Sequence, residues 1–280
     1  MKILVTGSRG MLAQDLIPLL KEEYEVFAFS GEELDITDKN SLYNAFTSVK
    51  ADFAINCAGY TKVDKAEEEK EKAFLVNGIG VQNLSLMCAD AGIPLLHIST
   101  DYVFDGEKKR PYMPFDSTNP INIYGISKLA GEKYIQWILD KFYILRTSWL
   151  YGRGGENFVF AILRLAKERS EIRVINDQIG SPTSTITLTK GIRRLIESGA
   201  YGIYHITDET EGGISWFEFA KEIIRISGLK TEVIPVTTDQ YPRPAKRPMY
   251  SVLDTEMTRL ATGFISDNWR VALGNLVSLK

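Results

Sequence analysis

The segment Lys2-Ile-Leu-Val-Thr-Gly-Ser-Arg-Gly-Met-Leu-Ala13 constrains the chain more than any other. An apolar run of strand type ends at Thr6. A Gly-x-x-Gly-x-x-Ala turn follows at once and opens an amphipathic stretch. Glycine at positions 7 and 10 lets the backbone turn tightly and approach a pyrophosphate. The helix start that follows offers free N–H groups and positive dipole density. Small Ala13 permits close helix–sheet packing. A plain tight turn has the same outline, so the motif gains its weight from its place in a strand–turn–helix unit.

The rest of the first half repeats this unit. Strands are expected at Lys2–Thr6, Glu25–Phe29, Asp52–Cys57, Pro94–Ile98 and Phe142–Thr147. Between them run helical periodicities at Met11–Lys21, Lys39–Val49, Ala66–Ala91 and Tyr124–Leu139. Short apolar strands alternating with helices predict a doubly wound, Rossmann-like parallel α/β sheet. The chain has 280 residues, 44% hydrophobic and 25% charged, enough for a sheet domain and a smaller lobe. Residues 1–150 are expected to form the dinucleotide-binding domain. Residues 151–280 are expected to form mainly a substrate-binding lobe, interleaved with the first. That half patterns more loosely, with a helix near Asn157–Arg169 and a strand near Ile172–Ile175. Proline-rich Tyr241–Pro248 reads as an extended loop over a pocket.

Composition excludes several function classes. Net charge is −3 and no basic stripe appears, so nucleic-acid binding lacks electrostatic support. No run approaches the roughly 18 to 20 apolar residues of a membrane span. The apolar start is too short for a signal peptide, so a cytoplasmic setting is expected. Cys57 and Cys88 lack metal-type or redox-type spacing. His97 and His205 sit in apolar strand-like runs and read as structural, so no metal site is expected.

The chemistry is carried by Tyr124-Gly125-Ile126-Ser127-Lys128. On a helix, positions i and i+4 share a face, which sets a phenol beside an ammonium. A nearby cation favours the phenolate and is expected to lower the tyrosine pKa. Lys128 can also hold ribose hydroxyls. Thr100 closes the strand run Leu-Leu-His-Ile-Ser-Thr, at the sheet edge where ligands sit. Its hydroxyl can bond the same carbonyl oxygen that Tyr124 protonates. Ala58 and Gly59, after the third strand, let backbone pass close to a cofactor. Asn77 reads as structural support for the site. The second strand ends Phe29-Ser30-Gly31 with no acid at its tip. Ser30 and Arg9 therefore suit a 2′-phosphate, which favours NADPH over NADH.

With these pieces in place, the sequence resembles the extended short-chain dehydrogenase/reductase superfamily, and within it the dTDP-4-dehydrorhamnose reductase family. The resemblance runs through Leu34–Asp38, Val63–Glu67, Ser99–Gly106, Asn122–Glu132, Leu145–Gly152, Asp177–Thr183 and Ser251–Thr255. It implies cofactor contacts at Gly10, Met11, Leu12, Asp35, Ile36, Gly59, Tyr60, Thr61, Tyr124 and Lys128. It implies substrate contacts at Thr100, Asp101 and Trp149. Beside this, Arg243, Lys246 and Arg247 in the proline-rich loop suit the diphosphate of a nucleotide sugar. The implied reaction is NADPH- or NADH-dependent reduction of dTDP-4-dehydro-β-L-rhamnose to dTDP-β-L-rhamnose. Some family members dimerise through a Mg²⁺ bridged by glutamates. The matching early position here is Asp15, which puts that site in question and leaves a monomer or homodimer. Two competing readings are an epimerase or dehydratase that retains its cofactor, and a regulatory subunit like the β subunit of methionine adenosyltransferase.

Overall fold

Side-chain alternation along Lys2–Thr6 (β1) sets the frame. Leu4 packs into one core cluster, whereas Ile3 and Val5 pack into another. The same split recurs in Phe53–Asn56 (β3), Leu95–Thr100 (β4) and Phe142–Thr147 (β5). Ala54, Leu95 and Ile144 join Leu4, and Ile55, Leu96 and Leu145 join Val5. A period of two with both faces apolar is what a doubly covered parallel sheet requires. In the computed structural model, which describes residues 1–278, these strands join Glu25–Phe29 (β2) and Gly202–His205 (β10) in one six-stranded sheet. Its order is β10-β5-β4-β3-β1-β2 and every pairing is parallel.

Lys39–Val49 (α2), Val81–Ala91 (α5) and Ile123–Ile138 (α6) cover the Leu4 side. Met11–Leu20 (α1) and Thr185–Ser198 (α8) cover the other. β10 comes from the second half of the chain and extends the first half's sheet. Apart from β10, α8 and Glu256–Thr262 (α10), much of the second half forms a separate cluster. Phe158–Glu168 (α7), Trp216–Ser227 (α9) and Trp269–Val277 (α11) pack there against Glu171–Ile175 (β7), which pairs with Glu232–Val236 (β12). Short pairs complete it: Leu150–Tyr151 (β6) with Thr183–Ser184 (β9), and Ile179–Gly180 (β8) with Ile214–Ser215 (β11). α10 follows the proline-rich loop.

The expected long helix over Ala66–Ala91 is instead four pieces. Val63–Ala66 (α3) and Lys70–Phe74 (α4) lead into a π-helical turn at Leu75–Gly80 and then α5. The wide turn brings the Asn77 side chain to both backbone groups of Tyr60 and to Ser127 Oγ. π-Turns of this kind recur at functional sites. β4 runs two residues further than expected, through Ser99 and Thr100. Among the described residues no helix is long and apolar enough to cross a membrane. None of their His, Cys, Asp or Glu side chains gather in threes to hold a metal ion.

Candidate active site

The sheet order reverses beside β1, with β2 on one side and β3 on the other. Ligands of open α/β sheets bind in the crevice beyond such a reversal. Gly7 has φ +70°, and a Cβ there would lie 2.6 Å from Ala58 N. Only glycine lets the first turn close on the loop after β3. α1 then starts at Met11, behind Gly10, whose N–H donates to Gly7 O at 2.9 Å; no side chain caps the helix, so the N–H groups of Met11, Leu12 and Ala13 are uncommitted. A cavity of about 460 Å³ is lined on this side by Gly10, Met11, Leu12, Ala58, Gly59 and Thr61. Its other wall carries Thr100, Asp101, Tyr124, Lys128 and Trp149.

The other residues expected around the cofactor lie outside the lining of this cavity. Ser30 is buried at the tip of β2, and its Oγ makes no well-formed hydrogen bond, though it lies near enough to the Glu33 carboxylate to help hold that group low. Arg9 is paired with Glu32 at 2.8 Å, and Glu33 accepts from Ser30 N at 2.8 Å. Asp35 is exposed, and its carboxylate accepts from Thr37 N and Oγ1, both at 2.8 Å. Ile36 is core, packed where a Cβ on Gly80 would touch it. Tyr60 donates its phenol to Glu69 at 2.9 Å and packs its ring against Ala66 and Ala73. The first wall fits a dinucleotide on two counts. A helix start is left uncapped, and a backbone cradle excludes any Cβ at position 7.

On the second wall, α6 begins at Asn122, whose Oδ1 accepts from Gly125 N at 2.8 Å. A Cβ on Gly125 would lie 2.1 Å from Tyr102 O, so the helix presses directly on the chain leaving Asp101. That contact sets Tyr124 edge-on to Tyr102, with centroids 5.8 Å apart. Thr100 lies within hydrogen-bond reach of the Tyr124 phenol and donates to Asp101 Oδ1 at 3.0 Å. Desolvation pushes the Tyr124 phenol up to about 12. The Thr100 contact opposes the rise and the Asp101 charge adds to it. The expected depression by Lys128 is absent. Lys128 Nζ is turned to Ile98 O at 2.6 Å and His97 Nε2 at 3.1 Å, and desolvation lowers it to about 8. Burial raises Asp101 to about 7, against the pull of nearby Ser251 and Thr100. Its Oδ2 makes no well-formed hydrogen bond.

α6 is fixed to the sheet by a buried ion pair. Arg146 on β5 donates to Glu132 through Nε at 2.9 Å and Nη2 at 2.6 Å, and Ser99 donates to the same carboxylate. Both charges are nearly or wholly buried.

A second cavity of about 370 Å³ lies between α7, β7 and the proline-rich loop. Arg243 and Arg247 line it, together with Asp64, Tyr102 and Trp216. Arg247 pairs with Asp64 and donates to Ala245 O at 2.6 Å. Asp64 also accepts from Ala245 N at 3.3 Å, and Asn122 donates to Lys246 O at 2.8 Å. The loop is thus strapped over the start of α6. The Lys246 side chain is exposed and lines neither cavity, so only two of the three loop cations face a ligand-sized space. Trp149, with φ +47°, stacks on Trp216 at 3.5 Å and 12°. Trp149 lines the first cavity and Trp216 the second, so the stacked pair stands where the two adjoin. The sequence reading missed Asp64, Tyr102 and Trp216. Tyr102 was within reach, since it directly follows Ser99-Thr100-Asp101.

The chain matches the family model described as "RmlD substrate binding domain" over residues 1–279. It is 42% identical to the spore coat polysaccharide biosynthesis protein SpsK of Bacillus subtilis, covering 97% of this chain and 95% of that one. It is 39% identical to the dTDP-4-dehydrorhamnose reductase of Aggregatibacter actinomycetemcomitans, covering 98% of each. Among solved structures, the dTDP-4-dehydrorhamnose reductase of Bacillus anthracis in complex with NADP superposes with a TM-score of 0.96. The identity is 41%, covering 100% of this chain and 99% of that one.

Proposed function

The chain belongs to the RmlD substrate binding domain family, and on that footing we propose that it reduces the C4 ketone of dTDP-4-dehydro-β-L-rhamnose to give dTDP-β-L-rhamnose. The observation that carries this reading is one cavity. The uncapped start of α1 lines one wall, and Thr100, Asp101, Tyr124 and Lys128 line the other. A bound NADPH or NADH supplies the hydride. The first N–H groups of α1 would hold its pyrophosphate, and Gly59 and Lys128, which line the same cavity, would face its ribose. Ser30, and Arg9 once released from Glu32, suit a 2′-phosphate.

Tyr124 donates its phenolic proton to the C4 oxygen as charge develops there. A phenol held near 12 stays protonated through the neutral range, the state that donation requires. Thr100 hydrogen-bonds the same oxygen and steadies the charge that appears on it. Asp101 Oδ2 is a free buried acceptor for a sugar hydroxyl. Trp149 presents its indole to the apolar face of the sugar. Arg247 and Arg243 meet the diphosphate from the second cavity, each exchanging its contact with Asp64 for a phosphate. The reading carries a cytoplasmic setting and a small-molecule nucleotide-sugar partner.

A reductase consumes its cofactor, whereas an epimerase or a dehydratase regenerates it. Mixing the protein with dTDP-4-dehydrorhamnose and NADPH, with NADH in parallel, should oxidise one cofactor per sugar reduced. Sugar conversion with no net loss of reduced cofactor would point to the epimerase or dehydratase instead.

A further inference from the structure

His97 lies at the centre of a hydrogen-bond chain whose direction the backbone dictates. It is wholly buried on β4. The chain starts at Ala58 N, which can only donate, and does so to Asn56 Oδ1 at 3.1 Å. Thr6 Oγ1 donates to the same oxygen at 2.6 Å. Asn56 therefore turns its amide nitrogen to His97 Nδ1, at 2.9 Å. An amide nitrogen has protons to give and no lone pair to offer, so Nδ1 accepts. A neutral imidazole with Nδ1 as acceptor carries its proton on Nε2. That Nε2 lies 3.1 Å from Lys128 Nζ. An ammonium there would set donor against donor. An uncharged amine accepts from Nε2–H and still donates to Ile98 O at 2.6 Å. An imidazolium is excluded on the same ground, since both ring nitrogens would then face donors.

We propose that His97, as its Nε2–H tautomer, donates to Lys128 Nζ and holds that lysine as an uncharged amine in the protein free of cofactor. His97 is thereby a positioning residue for Lys128. The inference rests on the reductase reading for its part in turnover, though not for the tautomer itself. Few other ionisable groups face Lys128. Cys57, on the loop after β3, is a thiol that burial pushes up to about 12, so it supplies no anion at neutral pH. Glu132, one turn along α6, favours the ammonium, but its charge is committed to Arg146. Tyr124, one turn back, stays a neutral phenol. Burial lowers Lys128 to about 8, and donation from Nε2–H favours the uncharged amine further. Tyr124 gives its one proton to the C4 oxygen, and Lys128 can take a second proton from solvent, so that an ammonium then balances the phenolate left on Tyr124.

The chain has two histidines, so ¹⁵N-histidine labelling gives two ring spin systems, separable by a His205→Gln control. The proposal expects His97 to show a protonated Nε2 and a bare Nδ1 across neutral pH. A protonated Nδ1, or an imidazolium, would overturn it, and this reading needs no variant to fold. The second arm titrates Lys128 through its ¹³Cε signal, identified by its loss in Lys128→Met. In the wild type the midpoint should fall below about 8. In His97→Gln, whose side-chain carbonyl can accept from an ammonium, it should rise by about one unit or more. Equal midpoints in the two proteins would overturn the proposal. If the protein is a reductase, the pH limb of kcat/KM that follows Lys128 moves to higher pH with it. If it is not, both spectroscopic arms still read.

Discussion

Replacing Tyr124 by Phe should lower the rate of hydride transfer by roughly 10²–10⁴-fold, the usual contribution of a positioned general acid. Cofactor affinity and melting temperature should hardly change. The ring keeps its edge contact with Tyr102, and only one hydroxyl is lost from the cavity wall. Single-turnover kinetics at saturating cofactor separate the chemical step from binding. An unchanged rate would remove Tyr124 as proton donor. A large fall in cofactor affinity instead would make it a binding residue.

Arg146→Leu should be the most destabilising single change near the site. It leaves the fully buried Glu132 carboxylate facing only the Ser99 hydroxyl. Breaking one side of a buried pair costs about 3–5 kcal/mol. For a chain of this size that is a fall of roughly 5–9 °C in melting temperature. Adding Glu132→Gln to the same chain should recover part of the loss, because it removes the unpaired charge. Thermal unfolding of the wild type, the single variant and the double variant tests this. A single variant as stable as the wild type would mean that the pair contributes nothing net. The pair matters to chemistry because Glu132 sits one turn from Lys128, so it sets the pitch of α6 against β4 and β5.

The sheet was legible because its evidence is local. Period-two alternation in β1, β3 and β5 needs only a few neighbouring residues to be seen. Tyr124, Lys128 and Thr100 were legible for the same reason: helical spacing and a strand end are short-range signals. The π-turn at Leu75–Gly80 was not. It exists because Asn77 reaches Tyr60 and Ser127, and because α6 approaches so closely that a Cβ on Gly131 would lie 2.3 Å from Asn77 O. Tertiary contacts of that kind leave little trace in periodicity. Arg247 and Asp64 are 183 residues apart and nothing local joins them. Trp149 and Trp216 likewise meet only in the folded chain.

His97 shows a signal that the sequence did hold. Its apolar surroundings suggest a core histidine, and core is where it lies. Yet His97 and Ser99 share one face of β4, while Lys128 and Glu132 share one face of α6. His97 meets Lys128 and Ser99 meets Glu132, two rungs between a strand and a helix. Spacing of two on the strand matched to spacing of four on the helix could have been read as a pair. Helical spacing also predicts that Lys128 lowers the Tyr124 pKa. Spacing places two residues on a face, but it does not say where an ammonium turns. Here it turns to Ile98 and His97.

The central claim is that the cavity between α1 and α6 moves a hydride from a nicotinamide to C4 of a nucleotide-linked deoxysugar. The most direct measurement supplies cofactor deuterated at the nicotinamide C4 position, together with dTDP-4-dehydrorhamnose, and locates the label in the product by mass spectrometry and NMR. The expected result is one deuterium at C4 of the sugar, lost in step with activity in Tyr124→Phe. A reduced sugar without deuterium at C4, or no reduction with either NADPH or NADH, would contradict the account.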